Sequence, residues 1–513
     1  MNKKSNNTNH LPEFAEDINI KNPALDYPNA REIKRHFILN IGETNTGKTY
    51  TALQALKKAS SGVYLAPLRL LAMEIQDTLL EDNVLCSMLT GEEENIIKGA
   101  TIMSSTVEKI DLSKKYEVGV IDECQMIADS ARGGSWTRAI LGLAAETIYL
   151  CMSPDAEEIC TKLIRMCGDT FEVNYCERKT PLTYIGQVRY NQLEKHDAVI
   201  LFSRRDVLRF AEEVKKFNLK PSVVYGALPY KARKHQVEMY NSGQTDIIVS
   251  TDAIGMGINL PIRRVLFAQT DKYDGTGIRD LLPSEIKQIG GRAGRLGKFD
   301  EGFVGTVSSY YMSDNIIENG LKTKNKTIKT AYIPFPEEVL KSSDEKLSKI
   351  LTEWSNIKYP RIFKQQDLTM TIEKVLYLER KYKELDRYTT LKLATIMFDE
   401  KEESLFYKWQ QHVDAFVNNI TKELPIIYGN DLKEWELKHK ELGLYYSFNK
   451  SMGLEIDAEK LTKLKEEVIE KINQLLIKTN SKKPQKRKCR NCGRKLPAGF
   501  LYDMCDWCHY FSR

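Results

Sequence analysis

The fold is decided by residues 42–49, which read Gly42-Glu43-Thr44-Asn45-Thr46-Gly47-Lys48-Thr49. The G-x-x-x-x-G-K-T spacing is that of a phosphate-binding loop. An apolar run over 37–41 precedes it and apolar residues at helical spacing follow it, so the loop is predicted to join a strand to a helix. Its backbone N–H groups and the helix N-terminus would then face phosphate oxygens. The alternative is a plain turn before an ordinary helix.

This loop predicts a site for a nucleoside triphosphate. Lys48 is expected to reach the outer phosphates, and the Thr49 hydroxyl is expected to hold Mg²⁺. The residues expected to bind the nucleotide are Gly42, Thr44, Asn45, Thr46, Gly47, Lys48 and Thr49.

Apolar strand patterns recur about every 25 residues after the loop, at 62–66, 101–106, 118–121 and 147–152. Helical patterns lie between them, which is typical of a parallel sheet with helices on both faces. Ligands of such sheets bind beyond the carboxyl ends of the strands.

Two acids, Asp122 and Glu123, follow the strand at 118–121. This pattern matches a Walker B site, in which Asp122 would hold Mg²⁺ and Glu123 would orient and deprotonate the attacking water. Two solvated acids at a strand end are the alternative.

A second series of strand and helix patterns begins near Thr180 and contains no phosphate-binding loop of its own. It ends in Gln288-Ile289-Gly290-Gly291-Arg292-Ala293-Gly294-Arg295. Arginine is always charged and binds phosphate in a bidentate manner. Arg292 and Arg295 are therefore expected to reach the γ-phosphate from a second lobe, although a basic surface loop would read similarly.

Length and composition indicate a soluble chain of several domains. It has 513 residues, 42% hydrophobic and 28% charged, with a net charge of +6, which is compatible with nucleic acid. No apolar run approaches the ~18 residues of a membrane span. The N-terminus is rich in Asn and contains Glu13, Glu16 and Asp17, which argues against a signal peptide, so a flexible tail and a cytoplasmic location are expected.

The C-terminal third changes character from about residue 336, where helical spacing dominates. Asp457 is a predicted N-cap. It precedes an apolar stripe at Leu461, Leu464, Val468, Ile472 and Leu475. The stripe is expected to be a packing face, with a partner surface as the alternative. The aromatic residues of this region could stack on bases but are expected to be mostly core.

Four cysteines form two pairs at the end of the chain, Cys489-x-x-Cys492 and Cys505-x-x-Cys508. Paired knuckles of this kind allow four thiolates to reach one Zn²⁺, so a zinc ribbon is predicted. A redox pair, or His509 replacing Cys508 as ligand, is the alternative. A basic linker precedes the ribbon and is suited to phosphate contact or to a solvated hinge.

Several segments resemble, in order, the motifs of superfamily-two helicases, and the wording is closest to the Suv-three family of mitochondrial degradosome RNA helicases. The matching segments are Tyr27-Pro28, Ala30-Arg31, Asp122–Ile127, Ala131–Gly133, Trp136–Ala139, Ser250–Gly257 and Ile286–Arg295. The resemblance implies ATP-driven 3′-to-5′ unwinding of RNA, with DNA sometimes accepted. It also implies that Gln288 lies near the γ-phosphate and that Asp252 and Gly255 belong to the nucleotide site. The residues that it places in the nucleic-acid groove are Pro67, Arg69, Thr106, Ser203 and Thr251.

With the resemblance, the chain is expected to have two tandem RecA-like α/β domains, a helical C-terminal domain and a zinc ribbon. The predicted division is a flexible tail (1–26), an ATP-binding domain (27–178), a second RecA-like domain (179–335), a helical domain (336–478) and a basic linker with the ribbon (479–513).

The expected function is that of an ATP-dependent RNA helicase with ATP, Mg²⁺ and Zn²⁺ as cofactors and no membrane partner. Residues 151–156 differ from the family's Gly-Glu-Pro-Ala type of loop, which couples hydrolysis to unwinding. The alternative is therefore an ATPase clamp that recruits an exoribonuclease. A binding protein with an inactive motor is disfavoured, because the residues of the nucleotide site are intact.

Overall fold

A computed structural model describes residues 12–255, 260–275, 277–307, 315–479 and 489–494. Two parallel sheets with helices on their faces form two lobes, and a helical region follows them, which confirms the predicted α/β class. None of the described helices is long and apolar enough to cross a membrane.

The first lobe is built on a sheet that has eight strands within the described residues. Its elements are the helix Pro28–Arg31 (α1), the strand His36–Ile41 (β1), the helix Lys48–Lys58 (α2), the strand Gly62–Ala66 (β2), the helix Arg69–Glu81 (α3), the strands Cys86–Leu89 (β3), Glu94–Asn95 (β4), Ile102–Thr106 (β5) and Lys115–Ile121 (β6), the helix Gly133–Gly142 (α4), the strand Ala144–Met152 (β7), the helix Glu157–Cys167 (α5) and the strand Thr170–Tyr175 (β8). The strand order is β4-β3-β5-β2-β6-β7-β1-β8, and only the β3–β4 pair is antiparallel. All five residues of β2 are buried, as expected of a central parallel strand covered on both faces.

The second lobe is built on a parallel sheet. Its elements are the strands Leu182–Val188 (β9) and Asp197–Ile200 (β10), the helix Arg204–Val214 (α6), the strand Pro221–Val224 (β11), the helix Tyr230–Asn241 (α7), the strands Ile247–Ser250 (β12), Arg264–Phe267 (β13), Asp271–Tyr273 (β14) and Ile278–Asp280 (β15), the helix Pro283–Gly290 (α8), the strand Gly302–Val307 (β16) and the helix Asn315–Lys322 (α9). The strand order of the sheet is β11-β12-β10-β13-β16-β9. The hairpin β14–β15 stands apart from the main sheet.

The C-terminal region returns to the first lobe before the boundary predicted at residue 335. The Ile328 N–H donates to the Asp155 carbonyl at 2.8 Å. The elements that follow are the strand Ala331–Ile333 (β17), the helix Leu347–Ser355 (α10), the strand Phe363–Gln365 (β18), and the helices Thr369–Lys381 (α11), Arg387–Ala394 (α12), Glu403–Val417 (α13), Leu432–Met452 (α14) and Ala458–Thr479 (α15). Because β17 and β18 pair with each other against α4, the helical region shares the first lobe's hydrophobic core.

The last two helices also reach the second lobe. Leu432 and Leu442 of α14 pack into the second lobe's core, whereas Leu444 and Phe448 of the same helix pack into the first. The Asp457 side chain accepts from the Lys460 N–H at 2.9 Å and so caps the start of α15. The apolar stripe of α15 lies against the second lobe, so its prediction as a packing face is confirmed.

The prediction of a flexible N-terminal tail is wrong for residues 12–26. A short 3₁₀ turn at Glu13–Asp17 buries Phe14 and Ala15, and Ile18 is also buried. These side chains belong to the first lobe's core and pack near a second 3₁₀ turn at Glu337–Lys341. The apolar residues of this segment therefore dock on the fold, although its overall composition is polar.

Candidate functional site

The phosphate-binding loop joins β1 to α2, as predicted. Gly47 has a φ of +82° and Asn45 a φ of +66°, so the chain turns through left-handed conformations just before the helix. Lys48 is buried, and its Nζ donates to the Glu43 carbonyl at 3.3 Å. The ammonium therefore folds back over the loop, beside the N-terminus of α2, where an anion would be stabilised.

Asp122 lies at the end of β6, beside the phosphate-binding loop. The Thr49 hydroxyl is 3.2 and 3.3 Å from its two carboxylate oxygens. Burial and the neighbouring charge of Glu123 raise the pKa of Asp122. Hydroxyl and carboxylate oxygens are the hard ligands that Mg²⁺ prefers, and this ion commonly uses one or two protein ligands together with substrate phosphates. Thr49 and Asp122 thus fit the predicted Mg²⁺ site.

Two further side chains hold Asp122, and neither was predicted as a site residue. The Tyr64 hydroxyl, fully buried in β2, donates to Asp122 Oδ2 at 2.5 Å. The Trp136 indole in α4 donates to the Asp122 carbonyl at 2.9 Å. The only sequence signal was a tyrosine inside an otherwise apolar strand, because both contacts bridge distant parts of the chain.

Glu123 is tied to the loop that the sequence singled out at 151–156. Gln125 Nε2 donates to the Glu123 carboxylate, and the Ser153 N–H donates to Gln125 Oε1 at 3.1 Å. Glu123 itself has a φ of +51°, a left-handed conformation that turns the chain directly after β6. A change at Glu123 can therefore reach the 151–156 loop through one amide.

Arg292 of the second lobe faces the acid pair across the cleft. Its Nε and Nη2 donate to the Gly255 carbonyl at 3.1 and 2.5 Å. Burial lowers the pKa of Arg292, and the charges of Glu123, Glu74 and Asp122 oppose that shift. Burial also lowers the pKa of Arg295, and Glu74 of α3 opposes it, so both predicted arginines are close enough to Glu74 to interact with its charge.

The other second-lobe residues predicted for the nucleotide site are placed unequally. Gln288 lies against Gly255, since a Cβ built at Gly255 would be 3.6 Å from Gln288 Cγ. Asp252 is exposed and pairs with Lys272 at 3.0 Å, and no described contact brings it to the phosphate-binding loop. Residues 256–259 of the same motif lie outside the described part of the chain.

A cavity of about 330 Å³ lies where the two lobes and the helical region meet. The first lobe contributes Arg69 and Thr106, two of the residues predicted for the nucleic-acid groove. Arg69 pairs with Glu92, and Arg132 donates to the Pro67 carbonyl and to Glu108. The second lobe and the helices add Gly226, Ala227, His439 and Lys440, none of which was predicted for the groove.

Ser203 and Thr251, predicted for the same groove, do not line this cavity. The Ser203 hydroxyl accepts from the Asp206 N–H at 3.0 Å and caps α6. Thr251 Oγ1 accepts from the Ala253 N–H at 3.2 Å in the turn after β12. In the described structure both hydroxyls are engaged by their own local turns.

Both lobes of this chain match models of known protein families. Residues 23–176 match the model described as the DEXQ-box helicase domain of Suv3, and residues 181–297 match the helicase conserved C-terminal domain. The two lobes of this chain are therefore similar to helicase domains, the first of them to that of Suv3.

Two curated Suv3 relatives are similar over both lobes. The mitochondrial ATP-dependent RNA helicase SUV3 of Saccharomyces cerevisiae is 37% identical over 355 residues, which cover 66% of this chain and 47% of that protein. The protein of the same name in Oryza sativa subsp. japonica is 40% identical over 325 residues, which cover 62% of this chain and 55% of that protein. The chain thus spans about half the length of the curated relatives it matches.

The location expected for this chain is corrected by the same comparison. Both relatives are named as mitochondrial proteins, as is a DExH-box helicase of Arabidopsis thaliana that is 40% identical over 321 residues. The expectation of a cytoplasmic location is therefore wrong.

Among solved structures, the Escherichia coli DEAH/RHA helicase HrpB has a similar fold, with a TM-score of 0.50 at 14% identity. The similarity covers 84% of this chain and 60% of HrpB, so it extends beyond the two lobes. It supports a fold of two lobes followed by a helical region.

The predicted zinc ribbon is only partly within the described residues. Cys489 and Cys492 lie in a turn in which the Cys492 N–H donates to Cys489 Sγ at 3.5 Å and Gly493 has a φ of +69°. Cys505, Cys508 and the basic linker lie outside the described part. Among the described residues no group of three or more His, Cys, Asp or Glu side chains could hold a metal ion.

Proposed function

We propose that this chain is an ATP-dependent RNA helicase that translocates 3′-to-5′ on single-stranded RNA and separates duplexes, with DNA as a possible second substrate. The observation that carries the proposal is the meeting of two half-sites in one cleft. Lys48, Thr49, Asp122 and Glu123 come from the first lobe, and Arg292 comes from the second. Because hydrolysis needs both halves, nucleotide state and lobe position are coupled.

Each residue of the cleft has a distinct proposed role. Lys48 and the N–H groups of the phosphate-binding loop bind the triphosphate, and Glu123 orients and deprotonates the attacking water. Mg²⁺ held by Thr49 and Asp122 would neutralise phosphate charge. Arg292 stabilises the charge that develops on the γ-phosphate. In related enzymes an arginine in that position accelerates the reaction by about 10³–10⁵-fold.

RNA is proposed to pass through the cavity between the lobes and the helical region. Arg69 and Arg132 are paired there with Glu92 and Glu108. A phosphate group can replace a carboxylate as the partner of a guanidinium without changing its geometry. Opening and closing of the cleft would then alter the grip on the strand at the cavity.

The decisive experiment compares ATP hydrolysis and strand displacement by the purified full chain on duplexes with a 3′ RNA tail. Glu123→Gln and Lys48→Ala are expected to abolish both activities and to retain RNA binding. Glu146→Gln is the matched control, because Glu146 is exposed on β7 of the same sheet. Unimpaired displacement by Glu123→Gln would overturn the proposal.

A second candidate is an RNA-stimulated ATPase clamp that recruits an exoribonuclease and unwinds weakly. The 151–156 loop favours it, because this loop differs from the family type and is joined to Glu123 through Gln125. ATPase stimulation by RNA without displacement of a 3′-tailed duplex would support the clamp. Stimulation by DNA of the same sequence would extend the substrate range of either candidate.

We also propose that Cys489, Cys492, Cys505 and Cys508 bind one Zn²⁺. The N–H···S bond at Cys489 supports this, because such a bond stabilises a thiolate, the form that binds zinc. Metal analysis of the purified chain is expected to give one zinc per molecule, and Cys492→Ser is expected to lose it. Cys167→Ser serves as the control, and retention of zinc by Cys492→Ser would exclude this ligand set.

A further inference from the structure

The segment between β8 and β9 crosses from one lobe to the other and carries Arg178. The Arg178 guanidinium contacts a loop of each lobe. Nη1 donates to the Thr44 carbonyl of the phosphate-binding loop at 3.2 Å and to the Gly291 carbonyl at 2.6 Å. Nη2 donates to the Ala293 carbonyl. One side chain thus joins the nucleotide loop of the first lobe to the arginine loop of the second.

The two carbonyls contacted in the second lobe belong to the residues on either side of Arg292. A group held at both carbonyls fixes the 291–292 and 293–294 peptides, which flank Arg292, and so restrains the direction of its side chain. The contact with the third carbonyl, that of Thr44, fixes the position of Arg292 relative to the loop that would bind the phosphates. No other described side chain is hydrogen-bonded to both flanking carbonyls.

Neighbouring hydrogen bonds and a close backbone approach also join the same two loops. Asn45 Nδ2 and Thr180 Oγ1 donate to the Gly294 carbonyl at 3.0 and 2.6 Å. A Cβ built at Gly291 would be only 2.7 Å from Thr44 Cβ, so a glycine is needed for the loops to approach this closely. The loops are therefore in contact, and Arg178 lies at their junction.

Within the described residues Arg178 is held by backbone carbonyls and not by an ion pair. All of its described hydrogen-bond acceptors are backbone carbonyls, including Thr180 O at 2.7 Å from Nε. Burial lowers the pKa of Arg178, and no carboxylate offsets that shift. A planar guanidinium can hold several carbonyls at fixed angles, whereas a lysine ammonium is a point charge.

We propose that Arg178 is a positioning residue that aligns Arg292 with the nucleotide when the lobes close. The inference rests on the proposed ATPase function. It adds a residue of the inter-lobe segment whose only contacts with the reaction pass through the backbone of Arg292 and Thr44.

The test compares Arg178→Ala and Arg178→Lys with Lys179→Ala, which removes the same charge from the adjacent, exposed position. RNA-stimulated ATPase kcat is expected to fall on the order of 10²-fold in both Arg178 variants, because small misplacements of a catalytic group have effects of this size. KM for ATP is expected to change less than threefold, and Lys179→Ala is expected to match the wild type.

A double-variant cycle separates positioning from general stabilisation. If Arg178 acts through Arg292, the Arg178→Ala/Arg292→Ala protein is expected to be no slower than Arg292→Ala alone. Multiplicative losses, or an equal loss in Lys179→Ala, would overturn the inference.

Amide hydrogen exchange provides a readout that does not need hydrolysis. In Arg178→Ala, exchange is expected to rise at 289–295 and to stay unchanged in β10, which lies in the same lobe. No change at 289–295 would overturn the positioning role even in an active enzyme. If the wild-type chain lacks ATPase activity but exchange at 289–295 still rises in Arg178→Ala, only the proposed function is contradicted.

Discussion

Replacement of Tyr64 by phenylalanine tests the support of the proposed Mg²⁺ ligand. The substitution removes one hydroxyl from a fully buried position and keeps the ring. That hydroxyl donates to Asp122 Oδ2 at 2.5 Å. Burial and the charge of Asp122 raise the pKa of Tyr64 well above its ordinary value, so the hydroxyl remains a donor at every working pH.

The size of the effect follows from the donors that remain. A hydrogen bond to a charged group is worth about 1.5–3 kcal/mol. Asp122 would keep the Thr49 hydroxyl and the Glu123 N–H, at 2.8 Å from Oδ1, so the lower value applies. About 1.5 kcal/mol corresponds to roughly a tenfold weaker hold on the metal, which agrees with the 10–100-fold effect of removing partners of metal ligands.

The assay is a Mg²⁺ titration of RNA-stimulated ATP hydrolysis at saturating ATP. The Tyr64→Phe midpoint is expected to rise about tenfold, with kcat largely restored at high Mg²⁺. Tyr149→Phe is the matched control, because Tyr149 lies on β7 and packs against the same core cluster without a described contact to Asp122. Superimposable titrations of Tyr64→Phe and the wild type would refute the reasoning.

Three further predictions concern stability. Burial raises the pKa of Glu74 from 4.5 to about 7, so the folded protein holds a proton that the unfolded chain releases between these values. Stability should therefore fall by up to about 1.4 kcal/mol per unit as pH rises from 4.5 to 7, and Glu74→Gln should flatten that slope in pH-dependent thermal unfolding. Ile472→Ala, at a fully buried position of α15, should lower the unfolding free energy by about 2–5 kcal/mol in denaturant titration, whereas Lys471→Ala should not. Glu436→Ala should cost about 3 kcal/mol in the same titration, because Arg204, at 2.7 Å, loses its ion-pair partner and the buried Tyr225 hydroxyl, at 2.5 Å, loses its acceptor.

The nucleotide half-site could be predicted because its signals are local. Eight consecutive residues form the phosphate-binding loop, and Asp122 and Glu123 directly follow a strand whose burial is plain from its composition. Spacing of this kind depends on backbone geometry within a few residues, so it survives without knowledge of tertiary contacts. The stripe of α15 and its Asp457 cap were predictable for the same reason.

The supporting residues were not predictable, because their partners are far away in sequence. Tyr64 meets Asp122 across 58 positions, and Arg178 meets Thr44 across 134. The sequence around a buried hydroxyl or guanidinium contains no local pattern that indicates its acceptor. Ser203 shows the converse, since a residue at a motif position can be engaged by its own helix N-terminus.

The helix α14 limits where the lobes can move. Its 21 residues span about 30 Å, and its apolar residues pack into the cores of both lobes. Separating the lobes at α14 would expose apolar area on both sides, whereas separating them at the phosphate-binding loop breaks a few hydrogen bonds to carbonyls. The cleft is therefore expected to open at the nucleotide side and to pivot near α14. The cavity that contains Arg69 is lined by His439 and Lys440 of that helix, so the RNA would lie close to the pivot, where a rigid-body rotation gives short displacements. Small steps along a strand, driven by a larger opening at the nucleotide, are the movement that this geometry favours.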